Sequence, residues 1–198
     1  MSVAAVLLAA GRALRFSGGA KLLADIDGIP LIAHMARQLA ASRARPIVAV
    51  VRPDAEDIVR ALDGLGVVLA VSADPEWRMG RSIGAGVAAL GGDPDGAMIV
   101  PGDMPRLNAE VLDRLIAEFE REGGSRIVYP TLPDGSQRNP VVWPRRLFAR
   151  LEALDTTNGG KALLEELVAE AVAVPFVDAA PFTDIDTRED LARYLASR

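Results

Sequence analysis

The chain has no cysteine and one histidine, His34. The first absence excludes disulfides, thiolate metal sites, iron–sulfur clusters and cysteine nucleophiles, and suits a reducing cytoplasm. The second excludes multi-histidine metal centres and leaves little room for a Ser-His-Asp triad. A metal bound here would be held by oxygen, which selects Mg²⁺, Mn²⁺ or Ca²⁺. Long apolar stretches are also missing. The longest, Val3 to Ala10, is far short of the ~20 residues of a membrane span. No basic residue precedes it, and Gly11 and Arg12 follow at once, so it reads as a buried strand and not a signal-peptide core. Excess positive charge is absent as well. With 22 Lys and Arg against 27 Asp and Glu, the net charge is −5, and neither a nucleic-acid nor a membrane-surface partner is expected. The expected location is the cytoplasm.

What is present is an ordinary globular composition, 50% hydrophobic and 25% charged over 198 residues. A chain of this length buries on the order of 70% of its extended surface, and residues 1–198 are expected to form one domain. Short apolar runs alternate with longer stretches of helical period. The runs are Val3–Leu8, Ile47–Val51, Val67–Val71, Ala97–Val100, Ile127–Tyr129, Val141–Trp143 and Ala171–Phe176. Leu31, Ile32, Met35, Ala36 and Leu39 mark one face of a helix, as do Val111, Leu112, Leu115, Ile116 and Phe119. Pro30 suits the first turn of the former and Asn108 the N-cap of the latter. Thr187 and Asp190 form a capping-box pattern. The predicted fold is α/β, a three-layer doubly wound, mostly parallel sheet of Rossmann-like type, with an antiparallel element in the C-terminal third. Such sheets bind ligands outside the carboxyl ends of their strands, so chemistry is expected after Leu8, Val71, Val100 and the last strands.

After the first run comes LLAAGRALRFSGGAKLL. From Ala9 to Lys21 it holds Arg12, Arg15 and Lys21, three glycines and no acid. In an acidic protein this is a local charge reversal. Gly11, Gly18 and Gly19 allow backbone N–H groups to line a concave anion site, and Arg15 and Lys21 add charge-assisted bonds to phosphate. The plain alternative is a solvated basic turn. A P-loop is excluded because Leu22, not a hydroxyl residue, follows Lys21. Gly84-Ala85-Gly86 with Ala89 imitates a dinucleotide fingerprint, but lies within a helical stretch, where close helix–sheet packing explains it better.

LAAG, then an arginine, a glycine-containing turn, KLL and DGIPLI, resembles the MobA-like nucleotidyltransferases, and more narrowly the MocA-type molybdenum cofactor cytidylyltransferases. MGRSIGAGVAAL, VPGDMPRL, RNPVVW and DIDTREDL continue the similarity in order. The resemblance implies transfer of NMP, with CTP as the favoured donor, onto a phosphorylated acceptor such as molybdopterin, with pyrophosphate released. GTP use and a non-catalytic nucleotide- or pterin-binding factor are the alternatives, and a molybdoenzyme client is an implied partner. Cytidylyltransferases of isoprenoid synthesis and sugar-1-phosphate nucleotidyltransferases share the first motif and fit the remainder less well.

Asp103, in MIVPGDMP, stands just past a buried run, where a carboxylate can hold a divalent cation against a phosphate; a turn aspartate is the plain alternative. In TDIDT, period two would put Asp184 and Asp186 on one side with Ile185 inward. The resemblance places the metal (Mg²⁺, or Mn²⁺) on Asp103 and Asp186, with Asp184 behind them. It implies catalytic roles for Arg15, Lys21 and Asp103. It implies nucleotide contacts by Leu8, Ala9, Ala10, Gly11, Arg12, Arg15, Lys21, Gly80, Ser82 and Asp103. N–H groups around Gly80 and Ser82 would face the nucleotide, and Ser82 also suits an N-cap. Ala10 replaces a glycine typical of guanylyl-transferring relatives, and its methyl group would narrow the base pocket. Asn139 and Lys161 lie where the family binds its acceptor, and His34 reads as structural.

Overall fold

A computed structural model describes residues 1–11, 16 and 20–197 of the chain. In chain order its strands and helices are β1 (Val3–Leu8), β2 (Asp25–Ile26), β3 (Ile29–Pro30), α1 (Leu31–Ala41), β4 (Ile47–Val51), α2 (Glu56–Leu62), β5 (Val68–Val71), α3 (Met79–Ala88), β6 (Gly96–Pro101), α4 (Ala109–Arg121), β7 (Ile127–Thr131), β8 (Val141–Pro144), α5 (Phe148–Glu152), α6 (Lys161–Glu166), β9 (Ala171–Pro175) and α7 (Arg188–Ala196). The main sheet runs β5-β4-β1-β6-β8-β7-β9. Four pairings in it are parallel, and β8 lies antiparallel to both β6 and β7. The expected α/β architecture, with its antiparallel element late in the chain, is therefore present.

Strand alternation divides the core in two. Val3, Ala5 and Leu7 of β1 join Ala49, Val51, Met98 and Val100 beneath the apolar faces of α1, α2 and α4. Val6 faces the other way, with Val48, Val50 and Ile99, against α3, α5 and α6. Gly86 shows why α3 carries small residues. A Cβ there would lie 2.3 Å from Val6 Cγ1 and 2.7 Å from Val50 Cγ2. The glycine cluster is a packing surface and not a phosphate loop.

Capping follows the sequence. Asn108 accepts from Val111 N at 3.0 Å, and Thr187 and Asp190 make a complete capping box. Pro30 differs from expectation: it precedes α1 with ψ 141° and pairs with Asp25 in the β2–β3 hairpin. That hairpin turns at Asp27 and Gly28, both at positive φ, which suits the Asp-Gly pair. The third apolar run also differs, because Val68, Leu69 and Val71 are exposed. β5 is the sheet edge, where only β4 flanks it, so its apolar character does not bring burial on both faces. His34 bonds the Pro105 carbonyl at 2.9 Å, a structural role.

Candidate active site

β1 is flanked by β4 on one side and β6 on the other, so the strand order reverses between them. Their carboxyl ends form the floor of a cleft of about 560 Å³. Such reversal points are where open α/β sheets take ligands. β6 ends at Pro101, and the Gly102 N–H then donates to the Leu8 carbonyl at 3.1 Å, binding the two strand ends together. Asp103 follows directly. Its carbonyl accepts from Ile185 N at 2.8 Å, and this backbone bond brings Asp186 alongside Asp103 from the far end of the chain. Asp190 then holds the Asp186 and Thr187 N–H groups at 3.1 and 2.7 Å. Both carboxylates are thus placed by backbone contacts.

Lys21 comes to them from the first loop. It opens a single 3₁₀ turn, Lys21–Leu23, whose Leu22 and Leu23 pack on the core and anchor the lysine. Its Nζ donates to Asp103 Oδ2 at 2.6 Å and to Asp186 Oδ1 at 3.1 Å. The Lys21 side chain is only 12% exposed. Burial by itself would lower the lysine pKa; the two carboxylates outweigh it and hold the pKa above its ordinary value. Two hard carboxylate oxygens converging on one cationic point, at the rim of a cleft, are also the donor set that Mg²⁺ or Mn²⁺ uses when phosphate oxygens complete the shell. The residues present fit such an ion.

Leu8, Ala9, Ala10 and Gly11 line the cleft, as expected from their position after β1. Two further wall residues had no motif to mark them. Arg52 lies one residue past β4, and its guanidinium reaches Asp54 at 3.0 Å and the Gly11 carbonyl at 3.3 Å. It also stands 5.3 Å from the centre of the Trp77 ring, a cation–π distance. The signal that could have found Arg52 is its place at the carboxyl end of the second parallel strand.

A model of the MobA-like NTP transferase domain matches residues 5–172. The chain belongs to this family. A probable molybdenum cofactor guanylyltransferase of Natronomonas pharaonis is 28% identical, the match covering 95% of this chain and 94% of that protein. The bifunctional protein GlmU of Leifsonia xyli subsp. xyli is 34% identical over 83% of this chain, but the chain spans only about a third (35%) of that longer relative. Among solved structures, Rv0371c of Mycobacterium tuberculosis H37Rv superposes with a TM-score of 0.83 at 22% identity, covering 99% of this chain and 98% of that one. Its manganese complex superposes with a TM-score of 0.82 at 21% identity, with the same coverage.

Within this MobA-like domain the structure gathers Lys21, Asp103 and Asp186 with the β1 end. Arg12 and Arg15 lie outside the described residues. Ser82 lines the cleft, but the N–H groups around it are already used. Gly80 N donates to the Thr156 carbonyl at 2.9 Å, and Arg81 N and Ser82 N donate to the Arg78 carbonyl. The expectation that these donors face a ligand is corrected, because the 154–156 segment packs on the helix start and takes the first of them. A Cβ at Gly80 would meet Thr156 N at 2.9 Å. Nor is Ser82 the N-cap, a position held by Arg78.

Asp186 lines the cleft and Asp184 does not. Asp184 lines a separate groove with Arg106 and Tyr194, because residues 183–186 form no strand and period two does not apply. Burial, then the negative charges of Asp186 and Asp103, push its carboxyl pKa up. Asn139 is exposed and absent from the cleft lining, as is Lys161, which pairs with Glu165 at 3.9 Å. The structure does not bring this acceptor pair to the cleft.

Proposed function

We propose that the chain transfers a nucleotidyl group from an NTP to a phosphorylated acceptor. CTP is the favoured donor, a molybdopterin-type phosphate the favoured acceptor, and pyrophosphate the leaving group. The observation that carries this reading is the convergence of Lys21, Asp103 and Asp186 at the carboxyl ends of β1 and β6. Family membership supports the reaction class.

The attacking phosphate of the acceptor is already ionised, so no histidine base or enzyme nucleophile is needed. Catalysis then rests on position and charge. Asp103 and Asp186 would hold Mg²⁺ or Mn²⁺. When bound, such an ion neutralises phosphate charge and draws donor and acceptor oxygens together. Lys21 would donate to the β- and γ-phosphates and offset charge on the departing pyrophosphate. Gly11, Arg12 and Arg15 would add donors from the first loop. The closed floor made by Leu8, Ala9 and Ala10 would exclude water from the face of the nucleotide. Asn139 and Lys161 remain proposals for the acceptor, reached from outside the cleft.

Ala10, which lines the cleft, supports CTP, because a methyl group there would narrow the space for a base. A second reading, GTP as donor, is supported by the relative from N. pharaonis, which matches across nearly all of both chains and is named a guanylyltransferase. A thermal-shift panel of the four ribonucleotides, with and without Mg²⁺, separates them, since ligand binding raises the melting temperature. The largest metal-dependent shift is expected with CTP. A larger one with GTP moves the donor to guanylate, and no shift with any nucleotide removes the transferase reading.

A further inference from the structure

We infer that the Lys21 ammonium and the divalent cation compete for Asp103 and Asp186, so that a triphosphate opens the carboxylate pair to metal by drawing the lysine onto itself. This rests on the metal-site reading above.

The geometry supplies the competition. Nζ stands 2.6 Å from Asp103 Oδ2 and 3.1 Å from Asp186 Oδ1, so it fills the point where the two side chains converge. A divalent ion held by the same oxygens needs them at roughly 2.0–2.6 Å, which leaves no room for an ammonium group between them. Charge acts in the same direction. The carboxylate pair alone carries two negative charges, and with Lys21 bridging it the net is one. A lysine side chain suits such a shuttle: it is a compact charge on four flexible carbons with three rotatable donors, needing no fixed fork geometry. Lys21 lines the same cleft as the carboxylates, so the group can pass to a phosphate without leaving the site. Arg52, the other described cation of the cleft, is differently engaged, with Asp54 and the Gly11 carbonyl. The consequence is positive coupling: metal alone binds weakly, and nucleotide and metal each strengthen the other's binding.

The probe is Mn²⁺ alone, titrated into the full chain with free Mn²⁺ read by electron paramagnetic resonance and no nucleotide present. Lys21→Met and Lys21→Gln should each bind Mn²⁺ at least tenfold more tightly than wild type. Lys21→Arg, which keeps a cation in place, should stay within about threefold. Arg52→Met removes one positive charge from the same cleft without freeing the aspartates and should also stay within about threefold. The proposal is overturned if both neutral Lys21 variants bind Mn²⁺ as wild type does, or if Arg52→Met tightens binding as much as they do. Adding Asp103→Asn to Lys21→Met identifies which idea has failed. If that change weakens Mn²⁺ binding while Lys21→Met alone had not strengthened it, the metal site stands and the competition falls. If it changes nothing, the metal binds elsewhere, and both the site reading and the competition fall.

Discussion

Gly102 packs so closely on Leu8 that a Cβ at that position would stand 2.6 Å from the Leu8 carbonyl oxygen. The Gly102 N–H also donates to that oxygen, so the ends of β1 and β6 are fixed to each other immediately before Asp103. A strand-end carboxylate held this way cannot shift without breaking a backbone contact.

Gly102→Ala tests that constraint. The obstruction is backbone oxygen and not a flexible side-chain tip, so the strand ends must move apart. Overpacking of this kind costs roughly 1–3 kcal/mol. Urea denaturation should show that loss, and nucleotide-dependent pyrophosphate release should fall at least tenfold because Asp103 moves too. An unchanged denaturation midpoint with full activity would contradict the account.

Gly86→Ala sets two effects against each other. In an isolated helix, alanine in place of glycine gains about 1 kcal/mol. Here the new methyl group would stand 2.3 Å from Val6 and 2.7 Å from Val50, both in the packed core. The overpacking cost of roughly 1–3 kcal/mol should win, leaving the variant less stable than wild type. A raised melting temperature would show that α3 has room to lift off the sheet.

Acid stability should depend on Asp74. Its carboxylate accepts from the Arg78 guanidinium and from Arg78 N, each at 2.7 Å, and the arginine pulls its pKa down from 3.8 to about 2. A carboxyl pKa depressed in the folded state gives stability that is present above the unfolded pKa and fades as pH falls through the folded one. Asp74→Asn should therefore be less stable than wild type at pH 5. The gap should narrow as pH falls from about 4 towards 2, followed by guanidinium denaturation at several pH values. A gap constant across that window would place the effect elsewhere.

The legible parts of the chain were those whose physics is local. Alternating apolar runs and helical periods placed the strands and the helix faces, and the Thr187–Asp190 capping box was readable from four residues. Lys21 and Asp103 stood out because strand ends in this fold class are where ligands bind and because a basic loop in an acidic chain needs an explanation, whereas the pairing of Asp186 with Asp103 came from the family resemblance. The misreadings were tertiary. The Gly80 donor is spent on Thr156, a partner no local pattern reveals, and Asp184 lines a neighbouring groove because the segment around it does not join the sheet, while staying near enough for the charges of Asp186 and Asp103 to act on it. Apolar composition placed β5 inside, whereas only its edge position determines its exposure. Arg52 and Trp77 belong to no motif and meet only when two loops fold over the same strand ends.

We propose that one cation and two carboxylates at the sheet rim run a metal-dependent nucleotidyl transfer. Pyrophosphate release on mixing the wild type with CTP, Mg²⁺ and molybdopterin tests it most directly, with Lys21→Ala measured beside it. The account predicts acceptor-dependent release by the wild type, and a loss of at least 10²- to 10³-fold in the variant without a change in fold, the scale expected when a charge-stabilising donor is removed. Release by Lys21→Ala at close to the wild-type rate would contradict it.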